Sequence, residues 1–94
     1  MNKIVQQIID ERTRQDNKWG VQNHSTLMWS AILTEETGEV AKAALESSAA
    51  HKKLSGKQLD TLEDYRKELI QVAAVAIAAI ESLDRNELND DKAL

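Results

Sequence analysis

The stretch Ile32–Lys42, which reads Ile-Leu-Thr-Glu-Glu-Thr-Gly-Glu-Val-Ala-Lys, decides how this chain folds. An α-helix turns about 100° per residue, so Glu35, Glu36 and Glu39 fall within an arc of about 100° on one helical face. Apolar residues flank Glu36 at helical contact spacing: Trp29, Ile32, Leu33, Val40 and Ala43. The pattern therefore predicts a helix that turns three carboxylates into the stripe that packs against the rest of the protein.

Three carboxylates in a packed stripe need a cationic partner. A buried, unpaired carboxylate costs several kcal/mol, and like charges three or four residues apart on a helix repel by ~0.2 to 0.5 kcal/mol per pair. A divalent metal ion is the simplest compensation. The alternative is a solvated charged stripe, in which the acids pair with Lys42 and Arg66.

The composition predicts a single all-α domain. The chain has 94 residues with no Cys, Pro or Phe, and its many Ala and Leu residues favour helices over a β-fold. We expect the domain to cover residues 1–84 and a charged, frayed tail to cover 85–94. A chain of this length buries only about 60 to 65% of its unfolded surface, so its core is marginal.

A short N-terminal helix is predicted over residues 3–16. Its first half carries an apolar stripe of Ile4, Val5, Ile8 and Ile9, and its second half is polar and solvated. A loop over 17–24 follows, in which Trp19 either holds the loop to the core or offers a stacking surface.

Two longer helices are predicted to form an antiparallel hairpin. The first covers 26–50 and is capped by Ser25, and the second runs from residue 59 or 60 to 84, where Asp60 and Glu63 resemble a capping box. The turn over 51–58 pivots at Gly56. Gly38 costs about 1 kcal/mol relative to Ala inside a helix, which predicts a close backbone neighbour or a tight site beside Glu39.

The apolar run 69–80 predicts contacts between copies of the chain, because a helix that is apolar nearly all round has no solvent face. We expect an oligomeric helical bundle, either a homodimer or a homotetramer. The run is too short to span a membrane. A net charge of -4 argues against a nucleic-acid duplex or an anionic membrane as partner. The N-terminus has no secretory signal, so we expect a cytoplasmic protein.

The third helix supplies a second polar pair, Glu68 and Gln71, where its polar part gives way to the apolar run. At a rise of 1.5 Å per residue, Glu39 lies ~16 Å before the predicted turn and Glu68 lies ~14 Å after it. In an antiparallel hairpin the two residues therefore lie opposite each other. Helices pack 8 to 10 Å apart, which leaves room for a shared cation. Carboxylate and amide ligands without His or Cys favour Mg²⁺ or Mn²⁺ over zinc.

These residues resemble a known family, the small MazG-like nucleoside triphosphate pyrophosphohydrolases of phage and bacteria. The likeness lies in Glu-Glu-x-x-Glu at 35–39 followed by Glu-x-x-Gln at 68–71, where the family motif has Glu-x-x-Asp. It extends to Glu-Arg-x-Arg-Gln-x-x-Lys-Trp-Gly at 11–20, Trp-x-x-Ile-Leu at 29–33 and the Ala-rich stretch after Glu68. Gln71 therefore stands where the family has Asp.

The resemblance implies hydrolysis of a nucleoside triphosphate to the monophosphate and pyrophosphate, with water attacking the α-phosphorus and Mg²⁺ clamping the phosphates. By position, the metal ligands would be Glu36, Glu39, Glu68 and Gln71, and Glu35 would be either a ligand or the base that orients the water.

Substrate contacts are expected from Lys42, Lys18 and Trp29. For Lys42 the alternative is an intrahelical pair with Glu39 or Glu46, and for Trp29 it is plain core packing. The alternative function is a non-catalytic helical oligomerisation or regulatory module that retains a nucleotide or metal site.

Overall fold

The computed structural model describes residues 1–50 and 55–88, and these residues form three helices and no strand. α1 spans Asn2–Trp19, α2 spans Thr26–Ala50 and α3 spans Ser55–Asn86. The all-α prediction is confirmed, and α2 has the predicted bounds. None of the described helices has the length and apolar character needed to cross a membrane.

α1 and α3 are longer than the sequence predicts. α1 continues through residues 17–19, so Trp19 belongs to a helix, is 60% exposed and does not hold a loop to the core. α3 begins at Ser55, so Gly56 lies within a helix and Asp60 does not start one. α3 ends at Asn86, two residues past the predicted end. Residues 51–54 of the predicted turn and 89–94 of the predicted tail lie outside the described residues.

The connection between α1 and α2 is defined by a glycine and a serine. Gly20 has φ 76° and ψ 175°, a conformation essentially restricted to glycine, and its N–H donates to the Asp16 carbonyl at 2.8 Å. α1 therefore ends at this glycine and not three residues earlier. The Ser25 hydroxyl accepts a hydrogen bond from the Met28 N–H at 3.1 Å, which confirms the predicted cap of α2.

α3 is the central helix and packs against both α1 and α2. The core joins Trp29 of α2 to Val75 and Ala78 of α3, with Ile32, Leu33 and Ala79 packed against them. Ala74 is fully buried, and small residues of this kind let two helix backbones approach closely. Gly38 does not serve this purpose, because a Cβ added there would meet no atom within 4 Å.

Polar side chains join α1 to α3, contrary to the prediction of a solvated second half of α1. Arg12 is only 15% exposed, and its Nε and Nη2 donate to Glu81 Oε1 at 3.0 and 2.8 Å. Near the other end of α1, Arg66 donates to Gln7 at 2.6 Å. Three members of the predicted apolar stripe remain more than 40% exposed: Ile4, Val5 and Ile9.

The end of α3 is tied to the α1–α2 connection. Arg85 donates to the Asn23 side chain at 2.8 Å and to the Gln22 carbonyl at 3.2 Å. Asn86 donates to the same Asn23 oxygen at 2.9 Å. The first residues of the predicted frayed tail are therefore part of the folded domain.

Candidate functional site

Glu36 lies at the centre of the packed face of α2, as predicted, but its neighbours Glu35 and Glu39 do not. Glu36 is half-buried between the buried Trp29 and Ala43, whereas Glu35 and Glu39 are exposed. Relative to Glu36, Glu39 is rotated by about 60° and Glu35 by about 100° in the same sense around the helix, which carries both past the edge of the packed arc. The prediction that all three acids point into the stripe is therefore wrong for these two.

The surroundings of Glu36 disfavour its charged form. Burial is the largest cause that raises its pKa above the ordinary value, followed by the negative charges of Glu68, Glu35, Glu39 and Glu11. These acids belong to all three helices. Among the described residues, no cationic side chain forms an ion pair with Glu36, so its charge has no direct compensation.

The predicted ligands are divided between two cavities. The first, which we call the Glu36 cavity, has a volume of about 330 Å³ and is lined by Glu36 and Gln71. The second, which we call the Glu39 cavity, has a volume of about 190 Å³ and is lined by Glu39 and Glu68. Glu35 lines neither of them. Each cavity is thus lined by one predicted ligand of α2 and one predicted ligand of α3.

Within residues 1–50 and 55–88, no three Asp, Glu or His side chains are arranged to hold a metal ion. The donor chemistry nevertheless suits a hard cation, because the four predicted ligands offer only carboxylate and amide oxygens. The Glu68 charge contributes to the raised pKa of Glu36, so the two cavities share one electrostatic environment. Small movements of side chains would be needed to bring the four groups onto one ion.

Lys42 and Lys18 lie beside the predicted ligands. Lys42 lines the Glu39 cavity and forms no ion pair with Glu39 or Glu46, so the alternative of an intrahelical pair is not observed. Lys18 lines the Glu36 cavity, with its amine 4.6 Å from the centre of the Trp19 ring. Both residues therefore reach the cavities with their charges available.

Trp29 belongs to the core and also lines the Glu36 cavity. It is 6% exposed, and its ring meets that of His24 edge to face at 4.9 Å. Its indole Nε1 is buried without a hydrogen-bond partner. The two interpretations of Trp29, core packing and a cavity wall, are thus compatible.

Glu11 was not singled out by the sequence pattern, yet it lies in the same environment as Glu36. Its side chain is 12% exposed, lines the Glu36 cavity and contributes to the raised pKa of Glu36. Hydrogen bonding from Arg14 is the main cause that holds the pKa of Glu11 itself below the ordinary value. The signal was present, because Glu11 continues the helical spacing of Ile4 and Ile8 and is therefore an acid in an apolar stripe.

Comparisons with protein-family models, with curated proteins and with solved structures find no match to the chain.

Proposed function

We propose that the protein is a metal-dependent nucleoside triphosphate pyrophosphohydrolase of the MazG-like kind, which converts a ribo- or deoxyribonucleoside triphosphate and water to the monophosphate and pyrophosphate. One observation carries the proposal: Glu36 is half-buried on the packed face of α2, has no cationic partner among the described residues and is surrounded by acids of three helices. Such an arrangement destabilises the folded chain when no ligand is bound, and a bound cation would relieve the repulsion among the acids.

In this proposal, Glu36, Glu39, Glu68 and Gln71 hold Mg²⁺, with Mn²⁺ as an alternative. The raised pKa of Glu36 supports the assignment, because the same clustering that disfavours several carboxylates favours a divalent cation among them. Gln71 contributes an amide oxygen and no charge, which leaves three negative charges in the set. The pairs in the Glu36 and Glu39 cavities come together when the ligand binds.

The chemistry is a hydrolysis at the α-phosphorus. Bound Mg²⁺ would stabilise negative charge on the phosphate oxygens and lower the pKa of a coordinated water. Glu35 is exposed next to Glu36, so its carboxylate can orient the attacking water and accept its proton. The bond from the α-phosphorus to the bridging oxygen breaks, and pyrophosphate leaves with that oxygen.

Substrate contacts come from both cavities. Lys42 and Lys18 bind phosphate oxygens, because neither amine is engaged in an ion pair with another described residue. Trp29 forms a wall of the base pocket, because its ring lines the Glu36 cavity. A role in the cytoplasmic nucleotide pool follows from this substrate class.

The proposal includes assembly of the hairpin of α2 and α3 into a homodimer or homotetramer. Three apolar side chains of the run 69–80 are 38 to 56% exposed: Leu69, Ile77 and Ile80. The chain has an accessible surface of 7016 Å², whereas a compact monomer of its mass has about 5,400 Å². Its radius of gyration is 16.3 Å, against about 12 Å for a compact domain. A second copy would cover the excess apolar surface.

A second function is a non-catalytic oligomerisation or regulatory module that binds a nucleotide or a metal. One observation favours it: Gln71, which carries no charge, stands in the ligand set where the family motif has Asp. This module would bind ligand without turnover.

The test is pyrophosphate release from a panel of ribo- and deoxyribonucleoside triphosphates with Mg²⁺ or Mn²⁺. Glu36→Gln serves as the control, because it removes a proposed ligand while keeping the side-chain shape. Release that this variant abolishes supports the enzyme. A folded protein that binds metal and releases no pyrophosphate from any substrate supports the non-catalytic module.

A further inference from the structure

α1 brings positive charge to the Glu36 cavity. Within the described part of the chain, the cationic side chains that line this cavity are Arg14 and Lys18, which lie one helical turn apart on the same face of α1. The acids Glu36 and Glu11 line the same cavity. Opposite charges thus face one space of about 330 Å³, which suits a ligand that combines a cation with an anion.

Arg14 is held at this cavity by Glu11. Its Nε donates to Glu11 Oε1 at 2.8 Å and its Nη2 donates to Glu11 Oε2 at 2.7 Å, so the guanidinium binds both carboxylate oxygens. Gln15 donates to the same Oε2 at 3.1 Å. Glu11 is 12% exposed and Arg14 is 53% exposed. The carboxylate is therefore largely enclosed, whereas the guanidinium is open to solvent and can be reached by a ligand.

We infer that Arg14 binds the phosphate groups of the ligand, and that Glu11 occupies its guanidinium when no ligand is present. The planar fork that grips two carboxylate oxygens fits two phosphate oxygens equally well. This inference deepens the proposed function and rests on it for the identity of the ligand as a nucleoside triphosphate. Arg14 is a binding residue, and Glu11 competes with the phosphates for its guanidinium.

The exchange also couples phosphate binding to metal binding. When Arg14 turns to the phosphates, the Glu11 carboxylate loses its cationic partner and still faces the cavity that contains Glu36. The negative charge around Glu36 then increases, which favours a divalent cation there. Each ligand therefore tightens the binding of the other, by the same factor in both directions.

The experiment is titration calorimetry with inorganic tripolyphosphate, first without metal and then with Mg²⁺, on the wild type, four single variants and the double variant that carries Glu11→Gln and Arg14→Gln. Arg14→Gln removes the charge, Arg14→Lys keeps the charge without the fork, and Glu11→Gln removes the competitor. Arg66→Gln is the matched control, because Arg66 is also an exposed arginine that donates to a neighbouring side chain, Gln7, and does not line the Glu36 cavity. Melting curves establish that each variant is folded.

We expect Arg14→Gln to weaken tripolyphosphate binding by about 10- to 100-fold, the usual loss for a charge-assisted hydrogen bond. Arg14→Lys should fall between Arg14→Gln and the wild type. Glu11→Gln should tighten binding by about 2- to 5-fold, since breaking an exposed ion pair no longer opposes it. That gain should vanish in the double variant that also carries Arg14→Gln, which a merely structural role of either residue would not produce.

Two results would overturn the inference: Arg14→Gln binding tripolyphosphate as tightly as Arg66→Gln, or no binding by the wild type with or without Mg²⁺. Its failure and that of the proposed function are distinguishable. Tripolyphosphate binding that depends on Arg14, in a protein that hydrolyses no nucleotide, supports the inference alone. Nucleotide hydrolysis with unchanged KM in Arg14→Gln contradicts it and leaves the proposed function intact.

Discussion

Glu36→Gln is expected to stabilise the protein in the absence of metal and to remove its response to metal. The substitution keeps the shape of the side chain and one of its oxygens, and it removes the charge from a half-buried position surrounded by other acids. In most sites a change of this kind is neutral or destabilising. A gain in stability from Glu36→Gln would therefore show that the acids repel one another.

The magnitude follows from the neighbours of Glu36. Glu39, three residues along the same helix, repels it by ~0.2 to 0.5 kcal/mol. Glu68, on the facing helix, raises the pKa of Glu36 more than Glu35 or Glu39 does, and exposed charge pairs in proteins contribute ~0.2 to 1 kcal/mol. The total gain is about 1 kcal/mol. For a chain of 94 residues the entropy of unfolding is about 0.2 kcal/mol/K, so the melting temperature should rise by about 5 °C.

The assay is thermal unfolding at one fixed protein concentration, with EDTA or with increasing MgCl₂. Metal at ten times its dissociation constant should stabilise the wild type by about 1.4 kcal/mol, or about 7 °C. Glu36→Gln should show no such rise, so the order of the two melting temperatures should reverse. A variant that melts below the wild type in EDTA would refute the reasoning, because Glu36 would then be making a stabilising contact.

The difference in stability between Glu36→Gln and the wild type should also depend on pH, which checks that the charge of Glu36 causes it. The folded chain holds a proton on Glu36 more tightly than the unfolded chain, because burial and the charges of Glu68, Glu35, Glu39 and Glu11 raise its pKa above the ordinary 4.5. The contribution of Glu36 to the stability of the wild type is therefore fully present below pH 4.5 and is lost as pH rises through the raised pKa. In EDTA, Glu36→Gln should be no more stable than the wild type below pH 4.5, and its gain in stability should be complete above the raised pKa of Glu36. If the difference in stability between Glu36→Gln and the wild type did not change with pH, its cause would not be the charge of Glu36.

Three further substitutions test single features of the structure. Gly38→Ala should stabilise the chain by about 1 kcal/mol in urea unfolding, since an added Cβ meets no atom within 4 Å; a loss would show that a partner or ligand approaches there. Ser25→Ala should destabilise it by about 1 kcal/mol, because the hydroxyl caps α2 through the Met28 N–H; an unchanged unfolding midpoint would contradict this. Gln71→Asp should tighten Mg²⁺ binding about tenfold in calorimetry, and unchanged affinity would mean that position 71 does not touch the metal.

Local signals were sufficient for α2 and for the position of Glu36. A capping serine and a long stretch of apolar residues at helical spacing defined the helix. Helical geometry alone placed Glu36 between Trp29 and Ala43 on the packed face. The same geometry did not reveal where that face ends. The packed arc extends further on the Leu33 side than on the Glu39 side, and this asymmetry is set by how α3 lies against α2.

Long-range polar contacts were invisible to the sequence pattern. Arg12 and Glu81 are 69 residues apart in sequence, and their contact buries part of a helix that looked solvated. The end of α3 is likewise held by Asn23, a residue of the α1–α2 connection. Periodicity identifies apolar stripes, whereas a polar residue that is buried through a distant partner has no local signature. Glu11 is intermediate: it was predicted to be solvated with the rest of the second half of α1, yet it is 12% exposed and continues the helical spacing of Ile8.

The measurement that tests the central claim most directly is hydrolysis of a nucleoside triphosphate in ¹⁸O-labelled water with Mg²⁺, followed by mass spectrometry of both products. The account predicts one ¹⁸O atom in the nucleoside monophosphate and none in the pyrophosphate, because water attacks the α-phosphorus among the carboxylates around Glu36. It also predicts that Glu36→Gln yields no labelled monophosphate. Label in pyrophosphate or in free phosphate, or labelled monophosphate from Glu36→Gln at the wild-type rate, would contradict it.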